Sequence, residues 1–190
     1  MNRYITKFLS CILLTTGTVY AQNANENSDR PTSYISYKSN PNAPSELSQF
    51  EFMIGEFNRV DSVFNRSTGQ WDVSNGEWNA GYILNGLAIQ DHSVNYASEN
   101  VTTNIRIYDS SKNKWVVSWF KMPGPGMSTF EGEKIGNEII LKGTTPAPNS
   151  TMPIQLIFFD IKDDSYKWKG QINVNGQWFT FWKLSCVRKS

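Results

Sequence analysis

The chain has 190 residues, and its 18 lysines and arginines are balanced by 17 aspartates and glutamates. Because the charges nearly cancel, the chain offers no extended basic surface for nucleic acid or for an anionic membrane. Eleven phenylalanines, eight tyrosines and seven tryptophans instead indicate a chain with an aromatic core.

The first 21 residues have the features of a secretory signal peptide. Arg3 and Lys7 precede an apolar run over residues 8–14, and Ala21 stands at a suitable cleavage position. That run is far shorter than the roughly 20 residues that cross a bilayer. We therefore predict a signal peptide over residues 1–21, no membrane span, and an exported protein that is periplasmic or secreted.

Cleavage changes the charge and cysteine counts only slightly. Removing Arg3 and Lys7 leaves one more acidic than basic residue. It also removes Cys11, whose lipidation is the less favoured alternative because too short an apolar segment precedes it. Cys186 then has no partner for an internal disulfide. A packed core must therefore supply the stability.

Residues 22–45 are predicted to form a flexible leader. They are rich in asparagine, serine and proline, with few large apolar groups to offset the entropy lost on ordering. At the end of this segment Ser45 is a competent N-cap, so one short helical turn is expected from Pro44 to Leu47. The remaining residues, 46–190, have the length of a single domain.

From Gly55 onward the sequence has the pattern of a β-meander. Short runs of β-branched and aromatic residues alternate with turn-forming groups such as Asn85-Gly86 and Asn175-Gly176. Closing such a meander removes its exposed edges. We therefore predict an all-β fold, a single antiparallel up-and-down β-barrel of about ten strands with a short N-terminal helical turn or plug. A two-sheet sandwich is the alternative.

The Asn85-Gly86 turn predicts which side chains face the barrel interior. A two-residue loop fixes which residues face each other, and facing residues share one side of the sheet. The more apolar side is placed inside. It pairs Leu84 with Leu87, Tyr82 with Ile89, Ala80 with Asp91, and Trp78 with Ser93.

The same count around Asn175-Gly176 predicts a second inner face. This face holds Trp168, Gly170, Ile172, Val174, Phe179, Phe181 and Lys183. The outer face then carries Trp178, Thr180 and Trp182.

Two charged residues, Asp91 and Lys183, fall on these predicted inner faces. A buried charge is costly unless it is paired or meets a polar ligand or water. The expected partners are each other, Arg106, or the polar end of a ligand. The alternative is that both residues lie at a barrel mouth in water.

Three stretches, FEFMIGEF (50–57), ILNG (83–86) and YDSSKNKW (108–115), resemble a known family. It is the DUF1579-like family of bacterial secreted proteins of unknown function. The resemblance covers residues 50–119. The matching residues are Phe50, Glu51, Phe52, Ile54, Gly55, Glu56, Ile83, Leu84, Gly86, Tyr108, Asp109 and Trp115.

The chain departs from this family at Phe57, where tryptophan is usual, and at Asn85, where glycine is usual. The resemblance implies a lipocalin-like or fatty-acid-binding-protein-like barrel, entered through a short plug that seals one end. It implies no catalytic residues. The apolar side chains of residues 50–54 suit such a plug, and Gly55 permits a sharp bend into the first strand.

Residues with the chemistry of catalysis or metal binding are few. The one histidine, His92, is expected on the outer face in solvent, with general-base catalysis or haem ligation as alternatives. Together with Cys186 it supplies too few ligands for a structural zinc site. We predict no catalytic residues, no metal site and no cofactor. The sequence does not set the oligomeric state.

Three functions follow, in order of preference. The first is a binding protein that holds a small, partly apolar molecule inside the barrel. The second is a protein or glycan interaction module that uses outer aromatic residues such as Trp178. The third is a lipocalin-like enzyme that uses Asp91 or His92. The predicted ligand-binding residues of the first are Trp78, Tyr82, Ile89, Asp91, Arg106, Trp168, Phe181 and Lys183.

Overall fold

A computed structural model describes residues 36–124, 126–147 and 150–190 of the chain. The predicted signal peptide and the first part of the predicted leader lie outside these residues. Within the described ranges, no helix is both long enough and apolar enough to span a membrane.

Within these ranges one short helix precedes ten strands. The helix is of the 3-10 type, spans Ser45–Met53 and is called the plug helix. The strands are β1 Gly55–Asn65, β2 Gln70–Ile83, β3 Ala88–Asn95, β4 Val101–Asp109, β5 Lys114–Met122, β6 Gly126–Ile135, β7 Glu138–Ala147, β8 Ser150–Phe159, β9 Ser165–Val174 and β10 Gln177–Arg188.

Each strand pairs antiparallel with the next, and β10 pairs with β1, so the sheet closes into a barrel. The predicted up-and-down barrel of about ten strands is confirmed, and the sandwich alternative is wrong. Because strand direction alternates, turns that follow even-numbered strands lie at the same end as the plug helix. Turns that follow odd-numbered strands lie at the opposite end, which we call the mouth.

The plug helix is longer than the single turn predicted, and Ser45 does not cap it. Pro44 occupies the N-cap and no side chain bonds the first turn, while the Ser45 hydroxyl lies 3.2 Å from the Glu46 carboxylate. The three buried residues of the helix are Leu47, Phe50 and Met53. Their spacing of three matches a helix with three residues per turn, so one face of the helix is buried.

The plug helix closes one end of the barrel as the sequence predicts. The Phe50 ring packs edge-on against Trp115, with 4.7 Å between centroids, and against Phe158, with 5.4 Å. Gly55 has a φ of +119°, and a Cβ there would lie 2.5 Å from an η nitrogen of Arg188. The bend into β1 therefore requires glycine.

Part of the predicted leader contacts the barrel. The backbone of Ser36 exchanges two hydrogen bonds with that of Tyr82, at 2.8 and 2.7 Å. The Asn40 side chain donates to the carbonyl of Asn85 over 2.9 Å. Residues from Ser36 onward are thus fixed beside the end of β2 by these bonds.

The predicted register around Asn85-Gly86 is confirmed for the paired residues of β2 and β3 but not for the turn that joins them. Tyr82 faces Ile89, Ala80 faces Asp91, and Trp78 faces Ser93. The placing of Leu84 and Leu87 inside is wrong, because both are exposed. The ladder ends at Ile83 and Ala88, and Leu84 and Asn85 both have positive φ, which carries the turn away from the core.

A β-bulge in β10 overturns half of the second predicted register. Phe179 faces Ile172 as expected, but the ladder shifts between Thr180 and Trp182, so that Trp182 faces Gly170. One extra residue sends every later side chain to the opposite face.

The interior position predicted for Lys183 is therefore wrong. Its ammonium lies outside the barrel, 4.1 Å from the centroid of the Trp71 ring. The outer position predicted for Trp182 is also wrong, because this residue lines the interior. Val174 and Phe179, both predicted inside, are exposed, since both lie beside the β9–β10 turn at the mouth.

Candidate ligand-binding site

A cavity of about 220 Å³ lies inside the barrel, between the core residues that pack on the plug helix and the mouth. Drug-sized ligands occupy pockets of roughly 300–1,000 Å³, so this cavity suits a smaller molecule. Its aromatic lining comes from seven residues on six strands. They are Trp78, Trp119, Phe130, Phe158, Trp168, Phe181 and Trp182.

Arg59 and Asp61 form the first of two buried ion pairs in the described part of the chain. Both point inward from β1, where they alternate with exposed residues. Arg59 Nε donates to Asp61 Oδ2 over 2.7 Å. Asp61 also accepts from Asn95 Nδ2 at 3.2 Å and from Trp182 Nε1 at 2.7 Å. Three donors thus offset the cost of burying this carboxylate.

Asp91 and Arg106 form the second buried ion pair, across β3 and β4. Arg106 Nη1 donates to Asp91 Oδ2. Asp91 Oδ1 accepts from the backbone nitrogen of Asn104 at 3.0 Å and from its Nδ2 at 2.8 Å. The Arg106 guanidinium carbon lies 5.2 Å from the centroid of the Phe50 ring. Of the alternatives that the sequence left open for Asp91, the structure shows the pairing with Arg106, and the solvated position at the mouth is wrong for this residue.

Both arginines line the cavity, although only 5% of Arg59 and 1% of Arg106 is exposed. Each uses one nitrogen on its aspartate. Among the described residues, the η nitrogens of Arg59 and the Nη2 of Arg106 make no hydrogen bond, and the fully enclosed Nε of Arg106 has no partner. The buried Nε1 of Trp78, on the same wall, also has none among them. A buried donor without a partner is costly, so these groups are notable.

Tyr166 and Cys186 face each other across β9 and β10 near the plug. Burial raises the pKa of the Cys186 thiol to about 12, and burial likewise raises the pKa of the Tyr166 hydroxyl well above its usual value. The two groups lie close enough to affect each other's pKa, but the Tyr166 oxygen makes no hydrogen bond of normal geometry within the described chain. Cys186 is a protonated packing residue.

The structure brings together four of the eight predicted ligand-binding residues. Those that line the cavity are Trp78, Arg106, Trp168 and Phe181. Tyr82 and Ile89 are buried in the core but are not part of the cavity wall. Asp91 is buried behind Asn104 and Arg106, which do line it. Lys183 is outside the barrel.

Arg59 and Asp61 are the buried charged residues that the sequence prediction missed. The signal was present, because Arg59 and Asp61 follow Phe57 at steps of two and so share its face. A charged residue in a strand is normally assigned to the solvated face, and here that rule fails twice.

The groups considered for catalysis or metal binding do not form a cluster. His92 is exposed on the outer face of β3, as predicted. No group of three or more potential metal ligands occurs in the described ranges.

A scan against models of known protein families gave no match, and neither did a search of curated proteins. Among solved structures, the S-type phycobiliprotein lyase CPES from Guillardia theta matches with a TM-score of 0.50. The match covers 77% of this chain and 94% of that chain, at 13% sequence identity. At that identity the likeness shows the fold alone, which is a lipocalin-like barrel.

Proposed function

We propose that this protein is a non-catalytic carrier or receptor for a small, partly apolar molecule, which it holds inside the barrel. The observation that supports this most directly is the cavity itself. Its wall is largely aromatic and aliphatic, yet it includes two buried arginines, each with nitrogens that make no hydrogen bond within the described residues. Apolar walls with a few convergent polar groups are typical of small-molecule sites.

The apolar part of the wall supplies the attraction for such a ligand. Each Å² of apolar surface removed from water contributes about 25 cal/mol. The polar groups supply orientation, because a ligand that meets the arginine nitrogens also removes the cost of leaving them unpaired. Affinity and orientation thus come from different residues of one cavity.

We propose that the protein does this after export, in the periplasm or outside the cell. The support is the charged start, apolar run and Ala21 of the first 21 residues. The stretches FEFMIGEF, ILNG and YDSSKNKW support the further proposal that the chain is a relative of the DUF1579-like family.

Catalysis by Asp91 or His92 has less support. The Asp91 carboxylate already accepts three hydrogen bonds and lies behind the cavity wall. His92 is exposed on the opposite face of the sheet. Neither is placed to reach a molecule in the cavity.

Native mass spectrometry of the mature protein, purified gently from its own host, tests the proposal. We expect a stoichiometric adduct of defined mass. Ser128 lines the cavity on β6, so Ser128→Trp should fill the space and abolish the adduct. The neighbouring Thr129 is exposed on the outer face, so Thr129→Trp should keep it. An adduct retained by both variants would place the ligand elsewhere.

An interaction module is the second candidate, and exposed apolar groups beside the mouth favour it. Trp178 is 40% exposed and Phe179 is 50% exposed, and Met122 and Met127 are also exposed across the β5–β6 turn. If binding occurs here, the double variant Trp178→Ala, Phe179→Ala should lose a glycan or protein partner, while Ser128→Trp keeps it. The opposite pattern would favour the cavity.

A further inference from the structure

We propose that the molecule in the cavity presents an uncharged hydrogen-bond acceptor, such as a ketone, ester or amide carbonyl, to Arg59 and Arg106, and that the site discriminates against a carboxylate. This inference rests on the proposed binding function and specifies the chemistry of its ligand.

The first step is that the unpartnered groups in this part of the wall are donors. A guanidinium nitrogen and an indole nitrogen donate and cannot accept. The Nε of Arg106 and the Nε1 of Trp78 are unpartnered but fully enclosed. The unpartnered nitrogens open to contact are the η nitrogens of Arg59 and the Nη2 of Arg106, which make no hydrogen bond within the described residues. A ligand group that satisfies them must therefore bring acceptor oxygens.

The second step is that the charges of the two arginines are already balanced. Asp61 and Asp91 are both fully buried and each contacts one arginine. The four groups together carry no net charge. A carboxylate that entered the cavity would add an uncompensated negative charge to a low-dielectric interior, which is unfavourable. A carbonyl oxygen would satisfy the donors without adding charge.

The third step is that the aspartates are held too firmly to release their arginines. Asp61 accepts from Arg59, Asn95 and Trp182, and both oxygens of Asp91 are occupied by Asn104 and Arg106. If an arginine turned away from its aspartate to bind an incoming anion, the buried carboxylate would keep one hydrogen-bond donor fewer, which is unfavourable. The arginines can therefore donate hydrogen bonds to a ligand while their positive charges stay paired with the two aspartates.

The test compares two probes of equal size, octanoate and 2-nonanone. Each has ten non-hydrogen atoms and one alkyl chain, and they differ in charge at the polar end. Isothermal titration calorimetry of the mature protein at pH 7 should show at least tenfold tighter binding of 2-nonanone. The charge argument also predicts a reversal. Asp61→Asn leaves the cavity with one net positive charge, so octanoate should gain at least tenfold.

Two further variants complete the experiment. Asp91→Asn makes the same charge change at the other ion pair and serves if Asp61→Asn does not fold. Asp72→Asn, an exposed carboxylate on β2, is the matched control and should leave both affinities unchanged.

The outcomes separate this inference from the binding function on which it rests. Octanoate that binds the unaltered protein as tightly as 2-nonanone would overturn the inference and leave the binding function standing. The inference would also be overturned if neither Asp61→Asn nor Asp91→Asn bound octanoate more tightly than the unaltered protein does. Binding of neither probe, together with no adduct in native mass spectrometry, would overturn both proposals.

Discussion

Trp182 and Asp61 are 121 positions apart in the sequence, and a hydrogen bond of 2.7 Å joins the indole Nε1 of the first to the Oδ1 of the second. The bond crosses from β10 to β1, the two strands whose pairing closes the barrel. It also completes the set of donors around Asp61. Closure of the sheet and the hydrogen bonding of a buried carboxylate are thus linked through one side chain.

Trp182→Phe should therefore lower the free energy of unfolding by about 2 kcal/mol, since it removes a hydrogen bond to a buried charged group. Urea unfolding followed by circular dichroism measures this. Trp178→Phe is the matched control, because Trp178 is exposed beside the mouth, and it should change stability by less than about 0.5 kcal/mol. Equal effects would mean that the bond contributes no stability.

Asp91→Leu should destabilise the protein by about 3–5 kcal/mol, because it leaves the buried Arg106 without its counter-charge. The adjacent His92 lies on the outer face, so His92→Leu should cost less than about 0.5 kcal/mol. Combining Asp91→Leu with Arg106→Leu should recover part of the loss, since no unpaired charge then remains. Chemical denaturation measures all three. An additive loss in the double variant would contradict this account of the pair.

Phe50→Ala should destabilise the protein by about 3–5 kcal/mol, which is typical for a buried phenylalanine. Phe50 is fully buried in the plug helix, against Trp115 and Phe158. Phe179→Ala removes the same atoms from a half-exposed position at the mouth and should cost much less. Thermal unfolding of both variants compares the two ends of the barrel. Similar losses would show that the plug contributes little to stability.

Stability should fall at high pH because of Cys186. Burial raises the thiol pKa from its ordinary value of 9.0 to about 12. At pH values between these two, the unfolded chain releases a proton that the folded chain retains. The contribution of this thiol to the free energy of unfolding is therefore fully present below pH 9 and is lost as the pH rises toward 12. The slope for one such group approaches about 1.4 kcal/mol per pH unit.

Urea unfolding between pH 8 and pH 11 measures that slope. Cys186→Ala should show a shallower decline than the unaltered protein. Some decline in stability should remain in this variant, since burial also raises the pKa of Tyr166. Tyr166→Phe should reduce that remaining decline. Identical slopes in the unaltered protein and in Cys186→Ala would show that the thiol does not titrate differently in the two states.

The barrel was predictable because its signals are local and repeated. Turn groups separate runs of alternating residues, and each such pair of runs predicts one hairpin. The Asn85-Gly86 count places Trp78, Tyr82 and Asp91 correctly, since no irregularity interrupts β2 and β3. Closure then follows from the need to remove edges.

The bulge in β10 was not predictable from the sequence. Thr180, Phe181 and Trp182 continue an ordinary strand pattern, without a glycine or proline to indicate an inserted residue. On the inner face Trp182 bonds Asp61, a residue on another strand. Contacts between distant residues of this kind are not visible in a local pattern, so Trp182 and Lys183 were assigned to the wrong faces.

Because β10 pairs with β1, the order of strands around this barrel is a ring. The backbone nitrogen of Lys189 bonds the carbonyl of Glu56 over 2.9 Å, and Arg188 donates to the carbonyls of Ile54 and Phe52. The chain after β10 thus lies beside the chain that enters β1. A short linker between these segments and a new opening at a mouth turn would keep all ten ladders, so the fold should tolerate circular permutation.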